Sequence, residues 1–326
     1  MQLSDITKIK GYYDDLIKAG DGLLLEKHIG AQAFTIKAII SFVVYGTSFS
    51  EFAGYGFYGK KRKEKRNYMT RRHMFRFFDK YNPVEFRNRI GDKSLAAQYY
   101  SDFMKREQYV KNEGYEKFIE FSSRYRELFI KKAVGWGGEG ARIEKIECAD
   151  DARHVWETLT DEVVVEPVIK NHDALKEVYP ESLNTIKLTV LQTKSQPVVV
   201  TAIIRFGNNT IVDNVHSGGM AAGINVGSGL IETPATDKHF TEYKNHPITN
   251  KAILGMTIPK WNEIKELAID ASRVTPQLRY TSWDIALTNE GPVMIEGNWD
   301  AEFYMEQRLY NRGHRKLFTG ILEGRV

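Results

Sequence analysis

The chain has 326 residues, of which 42% are hydrophobic and 27% charged, and a formal net charge of +4. That length holds one large core or two to three smaller lobes, the composition is that of a soluble globular protein, and so small a charge identifies no partner by its sign. The lone cysteine, Cys148, excludes an internal disulfide framework and a cysteine-built metal cluster, and fits a reducing compartment.

The opening residues, MQLSDITKIKGYYDD, show no basic stretch leading into an apolar core, so no signal peptide is expected. The most apolar run, Ala38 to Tyr45, follows Lys37 and is too short to cross a bilayer, so no transmembrane segment is expected and the location is read as cytoplasmic. Residues 1–90 are expected to be a mostly helical region, with Phe75 and Phe78 at helical spacing, and helical texture continues to about residue 125. A basic run from Lys60 to Arg66, followed by Arg71 and Arg72, reads first as a solvated helix face, with an anionic membrane or nucleic acid as the other readings. No nucleic-acid partner is expected overall, and a homodimer is compatible with the sequence.

From about residue 126 the texture turns to β. Strands are expected at 127–131, 141–146, 163–169, 185–192, 197–206, 280–288 and 292–298, with a helix over 260–273. Strands that do not alternate strictly with helices indicate an α+β fold. The divisions expected are residues 1–90, a lobe over 91–170 and a second lobe over 171–326.

Gly135-Trp-Gly-Gly-Glu-Gly140 satisfies the G-x-G-x-x-G pattern, but the segment after it alternates like a strand, and no Gly-Lys-Ser/Thr closes it. Both the dinucleotide-binding turn and the Walker loop are thereby set aside. A strand–glycine loop–strand hairpin is a different device, in which Gly135, Gly137, Gly138 and Gly140 let backbone N–H groups approach phosphate oxygens. Lys131 or Lys132 adds a positive charge, and because side chains alternate only one of them is expected to face the ligand, Lys131 being favoured.

The segment Asp284 to Asn298 reads as strand, turn, strand. A three-residue loop, Asn289-Glu290-Gly291, would pair Ala286 with Met294 and Asp284 with Glu296, and would place Asn298 on the same face. Two opposed carboxylates with no obvious internal cation call for something positive between them. Hard oxygen ligands of this kind suit Mg2+ held together with substrate phosphates.

The ordered set of lysine, glycine loop, aspartate and Glu-x-Asn resembles the ATP-grasp superfamily, and within it the sugar-transfer-associated ATP-grasp proteins, over roughly residues 80 to 310. Gly91-Asp-Lys93 resembles the segment whose lysine reaches ATP phosphate, and Phe129-Ile-Lys131 with the glycine loop resembles the lysine strand and its phosphate cover. Val165-Glu166-Pro-Val168-Ile169 resembles the adenine hinge, and His172 stands where the ribose is reached. Ser182-Leu-Asn-Thr-Ile-Lys187 is similar to a Ser-x-Asn-Thr-x-Arg strand with lysine replacing arginine. Arg205, Asp213, Asn214, Gly218 and Gly219 resemble segments lining a reaction centre, while Trp299-Asp300-Ala-Glu302 departs from relatives that carry a glycine or arginine there.

The resemblance implies an ATP-grasp fold, ATP and Mg2+ as cofactors, and ligation of a carboxylate to an amine through an acylphosphate, with an amino acid and an amino sugar in polysaccharide biosynthesis as the expected pair. Asp284, Glu296 and Asn298 would be metal ligands, Lys93, Lys131 and Lys187 would neutralise phosphate, and Arg205 would stabilise the transferring group. A small-molecule kinase and a non-catalytic ATP-binding module are the other readings.

Overall fold

The structure is a computed structural model and describes residues 31–135 and 140–325. Two antiparallel sheets organise these residues. The smaller has the order β1-β4-β2-β3, from strands Tyr109–Val110, Val163–Pro167, Glu127–Lys132 and Arg142–Lys145. The larger has the order β11-β10-β5-β6-β7-β8-β9. Its long members are β5 (Thr185–Gln192), β6 (Pro197–Phe206), β10 (Tyr280–Leu287) and β11 (Pro292–Asn298). β7 (Met220–Ile224), β8 (Ala235–Thr236) and β9 (Glu242–Tyr243) complete it.

Every strand read from the sequence is present, with ends displaced by two residues at most. β7 was not expected. Its sequence, Met-Ala-Ala-Gly-Ile, carries little intrinsic strand preference, and its burial on both faces does the work that propensity does elsewhere. The described residues before 125 are helical apart from β1, so the α+β reading holds.

Period-2 alternation gives the large sheet two different faces. Ile186, Leu188, Val190, Ala202, Ile204, Phe206, Trp283, Ile285 and Leu287 point to one side, where helix Trp261–Val274 covers them with Ile264, Leu267, Ala268 and Ala271. Lys187, Ile203, Arg205 and Asp284 point to the other. Helix Tyr304–Leu309 packs there through Met305 and Leu309, and helices Arg71–Tyr81 and Arg315–Leu322 meet Leu191 and Tyr280. Helix Lys93–Met104, expected within the 91–170 lobe, sends Ala96, Tyr100 and Met104 into the core of the large sheet. Its apolar stripe fits the space beside Trp283, with Tyr100 and Trp283 ring centres 5.2 Å apart. The small sheet has its own core with helices Tyr115–Arg124 and Ala149–Thr158, built on Phe118, Phe121, Leu128, Ile130, Val155 and Val165. No described helix is long and apolar enough to cross a membrane.

Trp283 is fully buried, donates from its indole N–H to Ser272 Oγ at 2.7 Å, and lies over Gly297 on the neighbouring strand. A Cβ at residue 297 would sit 2.5 Å from the indole ring. Gly297→Ala is therefore expected to destabilise the fold by about 2 kcal/mol through overpacking, seen as a lower denaturant midpoint with unchanged slope. An unaltered midpoint would contradict this packing.

Candidate functional site

A cleft of about 630 Å³ opens between the two sheets. Phe129, Lys131, Lys132, Ile143 and Glu166 line it from the small sheet, and Thr185, Arg205, Asp284, Ile295 and Glu296 from the large one. The sequence placed Asp284 opposite Glu296, and they are paired, but by another route. Thr288 and Gly291 exchange backbone hydrogen bonds, so the loop is the two residues Asn289 and Glu290, and Ala286 pairs with Val293 instead of Met294. Uncorrected, that register would set Asp284 against Ile295. A bulge at Ile295 restores the pairing of Asp284 with Glu296 and of Ser282 with Asn298. Gly291 has φ +139°, as its place after the turn requires.

The bulge is held from outside the hairpin. Arg106 donates from Nη1 to the carbonyl of Met294 at 2.5 Å and from Nη2 to that of Ile295 at 3.1 Å. The same Nη2 lies 3.0 Å from Glu166 Oε1 on β4. Glu166 also accepts from Gln108, and its Oε2 lies 3.0 Å from Lys131 Nζ. One buried arginine thus fastens the small sheet to the carboxylate hairpin. Neither Arg106 nor Gln108 was identified from sequence, where they sit in an ordinary charged stretch, Lys105-Arg-Glu-Gln108.

The supposition that the acidic pair lacks an internal cation is overturned. Arg205 reaches across β5 to place Nη2 at 2.7 Å from Asp284 Oδ2, and also donates to Thr185 Oγ1. Lys93 Nζ lies 3.4 Å from Glu296 Oε2. Asp92 caps the helix that starts at Lys93, accepting from Ser94 N–H at 2.9 Å, and so fixes that lysine at the cleft edge. Lys93 also ties down the start of the glycine loop, donating from its amide to Ala133 O and from Nζ to Gly135 O, each at 3.1 Å.

These contacts set the charges. Burial pushes Asp284 up to about 6, with Glu296 adding to the rise and Arg205 opposing it. Burial also works against the Glu296 carboxylate, but Lys93, Lys131 and Arg205 outweigh it and hold its pKa below the ordinary value. Glu166 is held at about 2: burial opposes its charge, and Arg106 and Lys131 prevail. The Lys131 ammonium is drawn down, by burial above all. Asp284 Oδ1 is buried with no hydrogen-bond partner. An orphaned carboxylate oxygen facing a second carboxylate fits a hard divalent cation. Among the described residues no group of three His, Cys, Asp or Glu side chains is assembled, so such an ion would need the two acids together with other oxygen ligands.

Other expected residues fall inside and outside the cleft. Gly135, Val168, Asp213 and Asn214 line it, and Lys132 joins Lys131 because it ends β2, where the pleat no longer keeps the two apart. Asp213 Oδ2 accepts the Thr185 amide at 2.8 Å. Asn298 shares the face of Glu296 but lies outside the lining. Lys187 pairs with Asp284 on the ladder, yet its ammonium turns to Glu306 of helix Tyr304–Leu309, 3.2 Å away, because that buried carboxylate draws it off the cleft. His172 accepts the Ala174 amide at Nδ1 as a helix cap, and its neighbours Asn171 and Asp173 line the cleft instead. Gly218 and Gly219 shape the turn after Asn214, Gly140 has φ +73° beyond the lining, and Asp300 lies outside it near Arg87. Gly137 and Gly138 lie outside the described residues. Lys170 and Lys176 line the cleft without having been identified from the sequence, where they look like surface lysines.

The Glu166 cluster gives a pH test. A carboxyl held at about 2 in the folded chain contributes stability that is present above its unfolded value of 4.5 and is lost as pH falls toward 2. Glu166→Gln is expected to lose roughly 3 kcal/mol at pH 7, since Arg106 and Lys131 stay buried without their counter-charge. The gap between variant and parent should narrow in denaturant titrations below pH 4.5. A pH-independent gap would contradict the assignment.

Comparison with known proteins bears on the family and the fold. The family described as "Sugar-transfer associated ATP-grasp" matches residues 71–320. No curated protein matches the sequence significantly. Among solved structures, the ATP-grasp ligase PsnB, complexed with a phosphomimetic variant of its minimal precursor, Mg and ADP, is similar at 15% identity and a TM-score of 0.47, over 78% of this chain and 66% of that one. The D-Ala:D-Ser ligase VanG from Enterococcus faecalis is similar at 14% identity and 0.46, over 72% and 61%. The D-alanine-D-alanine ligase from Coxiella burnetii gives 14% and 0.40, over 73% and 56%. The chain spans less than two thirds of the length of these solved chains. With the family matched over 250 of its 326 residues, the chain belongs to the sugar-transfer associated ATP-grasp family and has its α+β fold.

Proposed function

We propose that the chain is an ATP- and magnesium-dependent ligase that joins a carboxylate to an amine. The observation that carries this reading is the buried, unpartnered Asp284 Oδ1 beside Glu296, in a cleft that Lys93, Lys131 and Arg205 also enter or border. Asp284 and Glu296, with Asn298 beside them, would hold the ion. Bound magnesium would neutralise the triphosphate and align its terminal phosphoryl group.

The chain's own residues do the rest. Lys93 exchanges Glu296 for a phosphate oxygen, while Glu166 with Arg106 keeps Lys131 aimed into the cleft, where its ammonium adds a phosphate contact. Phe129, Val168, Ile143 and Ile295 offer an apolar wall for adenine beside the hinge at Glu166. The glycine loop that begins at Gly135, where Lys93 holds the carbonyl, is read as the cover of the phosphates. Arg205 balances the charge that develops when the substrate carboxylate attacks the terminal phosphorus and ADP leaves. The amine then attacks the acyl carbon, phosphate departs with the electron pair of its bond to that carbon, and the amine loses its proton. Residues 91–170, apart from helix Lys93–Met104 that packs on the large sheet, and residues 171–326 are read as two lobes closing on the nucleotide, after a helical region before residue 91. An amino acid as the acid and an amino sugar as the acceptor fit the family's association with sugar transfer.

The test is an ADP and phosphate release assay on the purified chain with ATP, Mg2+, and a matrix of amino acids against amino sugars and other amines. Release that requires both partners, with an amide product, is expected. Phosphate retained on a sugar, or tight ATP binding with no ADP formed, would contradict the ligase. Asp284→Asn is expected to lower the turnover about a hundredfold, or roughly 3 kcal/mol in the barrier, while leaving the chain folded. Unchanged turnover would remove Asp284 from the reaction.

A further inference from the structure

Helix Ala31–Tyr45 is apolar on every side, an arrangement expected only of a buried helix. Here just one side is buried: Phe34, Ala38 and Ser41 face the small aromatic core made with Phe52, Tyr55, Phe57 and Tyr68. At 3.6 residues per turn, Ile36, Ile39, Ile40, Val43 and Val44 form a stripe on the opposite side. With Phe42 they are between 49% and 63% exposed. Six large apolar side chains exposed on one four-turn helix form a patch, in contrast to the scattered exposed hydrophobics of an ordinary surface.

The edge of this patch is basic. Lys37, on the flank of the helix, holds its ammonium 4.0 Å from the Tyr58 ring centre, and Lys65 approaches the ring of Tyr45 at 6.0 Å. Lys37 and Lys65 are close enough to lower the pKa of Lys65, an effect second to its burial. Arg72 donates to the carbonyls of Phe42 and Val43, each at 3.2 Å, and so sits at the end of the helix. Next to Lys65 in the chain, the short helix Arg62–Lys65 and its flanks expose Lys61, Arg62, Lys63 and Arg66. From residue 31 to 76 there are ten lysines and arginines against two acids, net +8 in a chain that totals +4, so the remainder carries net −4.

We infer that this helix and its basic rim form a docking surface for the face of an anionic phospholipid bilayer. An apolar stripe wants a hydrocarbon boundary, and a rim of lysine and arginine wants phosphate at its edge. A bilayer with acidic headgroups supplies both at the depth of one helix. Nucleic acid would satisfy the rim but leave six aliphatic and aromatic side chains in water. A second copy of this chain would cover the stripe but bring two strongly positive regions together. The solvated helix face expected at Lys60–Arg66 is thus one part of a larger surface. The described residues would attach peripherally, since none of their helices is long and apolar enough to cross a membrane.

Vesicle co-sedimentation of the full chain tests this. Phosphatidylcholine vesicles with about 30% phosphatidylglycerol are expected to pellet the protein at low salt. Pure phosphatidylcholine should do so at least tenfold more weakly, and raising the salt should release it as the rim is screened. Ile40→Asp with Val43→Asp should abolish binding to the acidic vesicles. Reversal of Lys61, Arg62 and Lys63 to Glu should weaken it by more than tenfold, since each charge near such a surface is worth about fivefold. Both variants should keep the parent's melting temperature, because the changed side chains lie on the exposed side. Failure of the parent chain to bind acidic vesicles overturns the inference, as does equal binding by either variant. A concentration-dependent dimer in light scattering that Ile40→Asp dissociates, without vesicle binding, also overturns it and assigns the stripe to self-association.

Discussion

The candidate site depends on the bulge at Ile295. A hairpin closed by only two residues would set Asp284 against Ile295 and turn Glu296 to the opposite face of the sheet, because side chains alternate along a strand. The extra residue restores the pairing of the two acids, and it leaves the carbonyls of Met294 and Ile295 to be held by Arg106. Because Arg106 also holds Glu166, and Glu166 holds Lys131, the register of the large sheet is coupled to the cation presented by the small one. That guanidinium, together with Lys93 between Glu296 and the Ala133 and Gly135 carbonyls, thereby sets the walls of the cleft relative to one another.

The electrostatics follow from that geometry. Each carboxylate of the pair has a basic partner, Arg205 for Asp284 and Lys93 for Glu296, and each basic group borders the same cleft. The arrangement is balanced but incomplete, since Asp284 retains a buried oxygen with nothing to bond and a pKa raised by burial and by its neighbour. Such a site has unused capacity for positive charge at the acids and, once the acids are satisfied, for negative charge at the lysines. A metal–triphosphate ion pair has both. Lys187 shows the limit of this economy: it shares the ladder with Asp284, and Glu306 takes its ammonium instead.

Much of the fold was legible because it rests on local pattern. Strands β5, β6, β10 and β11 announce themselves by alternation and β-branched content, and the Asp284–Glu296 pair followed from turn position. The turn was nonetheless read one residue too long and the bulge was not foreseen; either alone would turn Glu296 away from Asp284, and together they cancel. β7 escaped notice because an Ala- and Gly-rich strand takes its conformation from burial, which no short window of sequence encodes. Arg106 and Gln108 were invisible for a related reason: their partners are 58 to 189 residues away in the chain. The resemblance of the ordered motifs to ATP-grasp proteins carried the family assignment. It did not predict that Lys187 and His172 would be occupied by Glu306 and by a helix cap. The exposed side of helix Ala31–Tyr45 was likewise hidden, because apolar residues on all sides look the same in sequence whether they are covered or bare.

The most direct measurement is the anomalous signal of Mn2+ in crystals of the chain grown with a non-hydrolysable ATP analogue. The account predicts one or two peaks within coordinating reach of Asp284 and Glu296, with Lys93 released from Glu296 onto a phosphate oxygen and Lys131, still held by Glu166, in contact with another. An ion bound elsewhere, with Arg205 and Lys93 still the only partners of the two acids, would contradict it.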